Sequence, residues 1–308
     1  MIIRDINNLD KLTEQTCVAV GNFDGIHEGH IGLIKKTIKT SIDNNLVPTI
    51  LTFDPMPEEF FDTSDFFRLM HMSDKYQVLE KYGVEQVIKI PFDKNFSEIS
   101  KDAFIENILI HKLMVKHLIV GRDFKFGHKR LGDTNLLKLY EDKNLFGLTI
   151  IELVKVTDKK LSSRDIRALI KIGNIKDANK LISKPFSLIG KVVHGEKRGR
   201  KLGYPTANIE LYKSYPINGI FLVSILCENL KLYGLASWGH KPTFSCNDHV
   251  LEVNIFDFED DLYDKELKII FIDKIRDQIK FNNKDDLIKQ MDKDKKIAKS
   301  LLEKINEL

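Results

Sequence analysis

Strand-like and helix-like segments alternate along the first part of the chain and stop alternating at Ser183-Lys184-Pro185, and this break restricts the fold more than any other feature. Before it, apolar runs at Cys17–Val20, Val47–Phe53, Gln86–Pro91, His117–Val120 and Leu148–Val154 are short, rich in Val, Ile or Leu, and end near Gly, Pro or Asp. Helix-length segments lie between them. Ser73 opens one that ends at Gly83, Ser100 opens Lys101–Lys112, and Asp133 opens Thr134–Asn144, each supplying a side-chain oxygen to cap a helix. Such alternation predicts a parallel sheet covered by helices on both faces, with ligands at the carboxyl ends of the strands. After the break, Ser187–His194, Ile220–Leu226, Lys231–Ala236, Val250–Phe256 and Lys268–Ile272 follow one another through turn residues without helices. That pattern predicts a small antiparallel barrel or sandwich. From Lys284 to Leu308, Leu287, Ile288, Met291, Ile297, Leu301, Leu302 and Ile305 recur at near-helical spacing and predict one amphipathic helix against it. The expected architecture is α/β + β, with an α/β domain over residues 1–184 and a β-barrel with a terminal α-helix over residues 185–308.

Composition narrows the class. A chain of 308 residues can bury two cores, and 43% hydrophobic with 30% charged residues is a globular balance. The 48 basic and 45 acidic residues leave a net charge of +3, so neither nucleic acid nor an anionic membrane is an expected partner. Cys17, Cys227 and Cys246 are too few and too scattered for a disulfide framework or a paired-cysteine zinc site, and Cys17 in its apolar run reads as core. The start, Met1-Ile2-Ile3-Arg4-Asp5-Ile6, lacks a signal-peptide pattern, and no apolar run approaches the roughly 18 residues of a spanning helix. A cytoplasmic monomer is expected.

The densest motif is Gly21-Asn22-Phe23-Asp24-Gly25-Ile26-His27-Glu28-Gly29-His30. Gly21 closes a strand, Gly25 and Gly29 permit a sharp turn and close approach to a ligand, and a helix follows from His30 to about Ser41. The free N–H groups and positive dipole end of that helix would face the loop. His27 and His30, three apart, can donate hydrogen bonds to polyphosphate oxygens. A metal pair or a plain tight turn are the bland readings; the strand-glycine-helix context favours a nucleotide-phosphate site using ATP.

A second dense stretch runs from Gly190 to Asn208. Gly195, Gly199 and Gly203 suggest a loop whose backbone can wrap phosphate, and Lys197, Arg198, Arg200 and Lys201 add positive charge. Pro205 leads into Thr206 and Asn208, oxygen donors suited to Mg²⁺. A basic surface hairpin would explain the charges but not the Pro-Thr-Ala-Asn that follows.

The pattern Gly-x-Phe-Asp-Gly-x-His-x-Gly-His resembles the nucleotidyltransferases that share a phosphate-binding histidine motif with class I aminoacyl-tRNA synthetases. Thr52–Pro57, Val120–Gly127 and Leu161–Arg167 match further along, and the 190–208 stretch resembles a flavokinase signature. Taken together the chain resembles the prokaryotic bifunctional riboflavin kinase/FMN adenylyltransferase (FAD synthetase) family over nearly its whole length. The resemblance implies a Rossmann-like nucleotidyltransferase domain and a flavokinase-like barrel, with riboflavin, FMN, FAD and ATP as ligands and Mg²⁺ as cofactor. It implies that His27, His30 and Arg167 are catalytic in adenylylation, with Gly21, Asn22, Phe23, Asp24, Gly25, Gly29, Ser162 and Ser163 at the ATP phosphates. The Ser162-x-x-Asp165 spacing would cap the helix that carries Arg167. Asp123, Phe126 and Arg276 are implied at flavin, although plain core packing suits Phe126 equally well. For the kinase it implies Gly195, Lys197, Arg200, Gly203 and Pro205 at ATP, Thr206 and Asn208 at Mg²⁺, and Glu252 as general base.

The chain departs from the family pattern at Met56 (usually His), Arg164 (usually Thr), Ile220-Phe221, Ser237-Trp238, Asp264 and Gln278. A chain that keeps one activity, a nucleic-acid-binding barrel and a flavin-storing module are the other readings; near-neutral charge and missing stacking aromatics weigh against nucleic acid. Met72-Ser73-Asp74-Lys75 is similar to the second synthetase signature but falls too early, and Ser73 reads as a helix cap.

Overall fold

The computed structural model describes residues 1–61, 66–152, 155–156, 159–160, 162–194, 204–212, 215–228, 230–239, 250–258 and 260–306. The chain divides into two compact units, Met1–Arg68 with Met72–Ser163, and Leu69–His71 with Arg164–Leu308.

The first unit is built on six strands: β1 (Ile2–Asp5), β2 (Thr16–Val20), β3 (Val47–Phe53), β4 (Gln86–Ile90), β5 (Val115–Gly121) and β6 (Gly147–Ile151). Every pairing is parallel, in the order β1-β4-β3-β2-β5-β6. From β2 the chain lays β3 and β4 to one side, then crosses to lay β5 and β6 on the other. The order therefore reverses between β2 and β5, and the crevice at that switch point is where such sheets take ligands. Five strands lie where apolar runs predicted them. β1 was not legible because its apolar residues number only two, and Ile2 and Ile3 stay exposed on an edge strand.

Helices cover both faces, as the apolar strands require. Val87, Ile50, Ala19 and Ile119 form one buried row across the sheet. Helix α1 (Glu28–Asn44) packs against β2, β3 and β5, and Cys17 of β2 is fully buried, confirming that cysteine as core. Residues of opposite parity, Val18, Val20, Leu51, Ile88, Leu118 and Val120, pack with Phe104, Ile105, Ile108 and Leu109. Ser100 caps its helix as predicted, accepting from the Ala103 amide at 3.0 Å, but from Phe104 to Lys112 the turns are π-helical. Asp133 caps the helix Thr134–Asp142 through the Asn135 and Leu136 amides. Ser73 is not a cap: α2 (Met72–Lys81) begins one residue earlier, so Ser73 lies in its first turn.

The second unit is a closed antiparallel barrel of β7 (Ser187–Val193), β8 (Thr206–Glu210), β9 (Gly219–Cys227), β10 (Leu230–Trp238), β11 (Val250–Ile255) and β12 (Glu266–Arg276), in the order β7-β8-β11-β10-β9-β12. β8 was missed because Thr-Ala-Asn-Ile-Glu offers only two apolar positions. Two helices, α3 (Ser163–Lys171) and α4 (Ile175–Leu181), lead into the barrel, and Asn179 of α4 donates to the Phe271 carbonyl at 2.8 Å while accepting from the Phe186 amide at 2.8 Å. The terminal helix α5 (Lys284–Asn306) forms where predicted and packs on the barrel through Ala298, Leu301 and Leu302 against Leu222 and Phe256. Ile297 and Ile305 of the predicted stripe are exposed instead. Among the described residues no helix is long and apolar enough to cross a membrane.

Candidate active sites

The first candidate site begins where β2, buried at every position, reaches Gly21, whose amide donates to the Leu51 carbonyl at 3.1 Å. The chain then turns through left-handed backbone at Phe23 (φ 49°), Gly25 (φ 80°) and Ile26 (φ 41°). Glycine accepts this freely; a Phe and a β-branched Ile do not, so the surroundings must hold them there. Both side chains are fully buried, and the loop is tied at several points. Thr52 Oγ1 and Lys75 Nζ donate to the Asn22 carbonyl at 3.2 and 2.8 Å, and Asn22 Nδ2 donates to Glu58 at 3.0 Å. The Ser163 hydroxyl donates to the Asp24 carbonyl at 3.0 Å, joining positions 139 residues apart.

The α1 helix starts at Glu28, two residues earlier than the motif suggested, which makes His27 its N-cap residue and puts His30 in the first turn. Gly29 is therefore helical, and its role is space: a Cβ there would stand 3.1 Å from the His27 ring. The two imidazoles stack at a centroid distance of 3.9 Å and an interplanar angle of 21°. Ring lone pairs lie in the ring planes, and nearly parallel planes do not bring two nitrogens to a point about 2 Å from each, as a shared metal requires. Stacked at a helix N-terminus, the rings instead present N–H groups side by side, the arrangement that suits extended phosphate oxygens. Burial first, then His27 and Lys75, hold His30 well below the usual histidine range, so it is neutral at pH 7. Its Nδ1 is buried without a hydrogen-bond partner among the described residues.

β5 ends at Gly121 beside β2 across the switch point, and Asp123 follows in an exposed turn. Phe126 lies in the core instead, stacked on Phe124 at 5.3 Å, 5.2 Å from Phe104, and flat on Gly132, where a Cβ would meet the ring at 2.6 Å. From Phe104 an aromatic row continues through Phe96, Phe92 and Phe60 to the exposed Phe61. Sequence reading missed this row, although Phe53 and Phe92 stand at the ends of predicted strands. Ser162 immediately precedes α3, Arg167 lies one turn into it, and Arg164 is exposed. Met56, where the family has histidine, is buried.

The second candidate site is set by register. Asn208 of β8 and Ser237 of β10 both pair with Glu252 of β11, so the carboxylate stands between them. Thr206 pairs with Asn254, one strand period away, so Thr206, Asn208, Glu252 and Asn254 share one face. Ile209, Leu251 and Val253, alternating with them, are fully buried in the barrel. Asn254 Nδ2 donates to the Pro205 carbonyl at 2.8 Å and fixes the entry to β8. Gly195, Lys197, Arg200 and Gly203 lie outside the described residues, as do Cys246 and the rest of the basic loop. Trp238 is an interior residue whose Nε1 donates to the Tyr215 carbonyl at 2.8 Å. Gln278 meets Ser237 at 3.4 Å and fills the space that a Cβ on Gly239 would need.

Arg276 has a structural partner. Its Nε lies 3.0 and 2.9 Å from the two Asp294 oxygens, Nη2 lies 2.8 Å from Asp294, and Nη1 donates to the Asp277 carbonyl at 2.8 Å. Asp294 is buried in α5, so the pair fastens the last strand to the terminal helix. Removing one partner leaves the other charge partly buried and unpaired, so Asp294→Ala is expected to lower stability by about 3 kcal/mol. A urea midpoint equal to that of the unaltered chain would reject this role.

A parallel-sheet domain with a histidine-glycine loop at its switch point, joined to a six-stranded barrel carrying a Thr-x-Asn strand beside a glutamate, defines a nucleotide-using transferase of two domains. Residues 9–165 match the FAD synthetase family and residues 182–302 the riboflavin kinase family. Proteins described as bifunctional riboflavin kinase/FMN adenylyltransferase are similar along nearly the whole chain. The one from Buchnera aphidicola subsp. Schizaphis graminum is 39% identical over 306 residues, covering 97% of both chains. That from Haemophilus influenzae is 35% identical, covering 97% of this chain and 98% of its own, and that from Escherichia coli K12 is 34% identical, covering 97% and 96%. A crystal structure described as a macrolide-efflux protein from Streptococcus pneumoniae matches with a TM-score of 0.84 at 30% identity, covering 97% of this chain and 99% of that one. The chain belongs to the bifunctional riboflavin kinase/FMN adenylyltransferase family, whose members use ATP in both reactions.

Proposed function

We propose that this chain converts riboflavin to FMN in a kinase domain of residues 185–308, and FMN to FAD in an adenylyltransferase domain of residues 1–184. The observation that carries the reading is the His27–His30 stack at the start of α1, on a loop whose backbone is held at Asn22 and Asp24.

In adenylylation, an FMN phosphate oxygen attacks the α-phosphorus of ATP, the bond to pyrophosphate breaks, and FAD forms. A phosphate monoester has a second pKa of about 6, so the nucleophile is already anionic and no base is needed. Catalysis is positioning and charge stabilisation. His27 and His30 would donate to the polyphosphate, Arg167 would add charge, and Ser162, Ser163 and the backbone of Gly21–Gly25 with Gly29 would shape the cradle. Asp123 would meet the flavin. Phe126, in the core, would act through Phe124 and the aromatic row rather than by open contact.

In phosphorylation, Glu252 would accept the proton of the riboflavin 5′-hydroxyl as its oxygen attacks the γ-phosphorus, with ADP leaving. Thr206 and Asn208 offer neighbouring hydroxyl and amide oxygens on the face that carries Glu252, a donor set that fits Mg²⁺ shared with substrate phosphates. Bound there, Mg²⁺ would neutralise polyphosphate charge. Gly195, Lys197, Arg200, Gly203 and Pro205 would embrace the nucleotide. Arg276 would reach flavin only by way of the ion-paired corner it forms with Asp294. The same reading has the chain working as a cytoplasmic monomer without nucleic acid or membrane.

The test is incubation with riboflavin and Mg-ATP followed by chromatographic separation of the flavins. FMN is expected to rise first and FAD after it; riboflavin left unchanged would reject the reading.

A further inference from the structure

Among the described residues Lys75 is the one buried lysine, fully closed off within the first unit. Taking an ammonium out of water is unfavourable, and an apolar side chain of equal length would fill the space without that cost. Its Nζ donates to the Asn22 carbonyl at 2.8 Å, at the root of the turn that passes left-handed through Phe23, Gly25 and Ile26. The groups that face it come from every neighbouring element: Asp24 from the loop, Asp54 after β3, Glu59 from the short helix Pro57–Phe60, Arg68 before α2, and His30 from α1. Arg68 is already engaged, donating to Glu59 at 2.8 and 2.6 Å and to Asp54 at 2.7 Å. With His30 neutral, Lys75 is the cation directly behind the histidine loop.

We propose that Lys75 is a positioning residue for adenylyl transfer: as an ammonium it clamps the Asn22 carbonyl and sets the Phe23–Ile26 turn that carries His27 and His30 to the nucleotide. The inference rests on reading this loop as the nucleotide site. A neutral amine would keep a weaker donor and lose the attraction to Asp24, so the turn would relax toward its less strained alternatives. Burial pulls the Lys75 pKa down to about 8, with Asp24 opposing the fall, Arg68 adding to it, and Asp54 and Glu59 opposing it. The clamp is therefore charged at neutral pH and released in mildly alkaline solution.

Stability moves the other way. An unfolded lysine keeps its proton to about 10.5, so between about 8 and 10.5 the folded chain binds fewer protons and Lys75 makes folding more favourable as pH rises. Cys17, pushed up from 9.0 to about 11 by burial, opposes this above its unfolded value, so the clean window lies between pH 8 and 9.

The test measures FMN-to-FAD conversion against pH in the unaltered chain, Lys75→Arg, Lys75→Met and His30→Ala, each normalised to the kinase rate of the same preparation. Transfer in the unaltered chain is expected to fall as pH passes about 8 while its urea midpoint holds or rises, which excludes unfolding as the cause. Lys75→Arg, which stays charged to beyond about pH 12, is expected to lose that alkaline fall, and Lys75→Met to reduce kcat/KM for ATP at least about 30-fold at pH 7. A flat profile in the unaltered chain, which needs no variant to fold, overturns the proposal. So does Lys75→Met within about threefold of it while His30→Ala is inactive. Full transfer in His30→Ala would instead reject the nucleotide site and this inference with it.

Discussion

Glu252→Ala abolishes FMN formation from riboflavin, while FMN supplied directly is still converted to FAD. A general base contributes roughly 100- to 10,000-fold, and among the described residues no other carboxylate pairs in register with Asn208 or Thr206. The expected loss is in kcat, because Glu252 acts on the proton in flight rather than on binding. Its side chain projects from the outer face of a strand whose alternate residues, Leu251 and Val253, are buried, so truncation leaves the barrel's packing intact. Product separation with each flavin as substrate checks it. Loss of FAD formation from FMN in a folded variant would show that the two sites are not independent.

His30→Ala has the complementary outcome: riboflavin is phosphorylated, FMN accumulates, and FAD formation falls by at least about 100-fold, the usual loss for a donor aimed at developing phosphate charge. The variant removes one ring of the 3.9 Å stack and leaves His27 at the N-cap, so some binding should persist. Because His30 is held neutral well below the usual histidine range, no acidic limb from it is expected near pH 6.5. A steep loss of adenylyl transfer between pH 7 and 6 that vanishes in His30→Ala would contradict that. Undiminished FAD synthesis would remove the histidine loop from the reaction altogether.

Much of the architecture was legible because buried faces impose a period on the residues that build them. Val18, Val20, Leu118 and Val120 announce strands enclosed on both sides, and Ser100 and Asp133 announce helix starts through oxygens that must satisfy free amides. β1 and β8 escaped for the same reason in reverse. Ile2 and Ile3 lie on an edge, and Thr206–Glu210 turns a polar face outward, so neither makes an apolar run. The candidate site residues were named from motifs, but their relations were not. That Glu252 stands between Asn208 and Ser237 is a matter of register among three strands. That Arg276 is engaged by Asp294, and Phe126 by the core, follows from packing partners far along the chain.

By itself, the sequence determined the order of elements, the switch from an α/β unit to a barrel, and the two motifs, since each depends on neighbours a few residues apart. Only the tertiary structure decided that His27 caps α1, that Gly29 is there to admit its ring, and that Lys75 reaches the Asn22 carbonyl across 53 residues. Backbone periodicity is local, whereas a buried charge finds its partner wherever the packed chain brings an oxygen within reach.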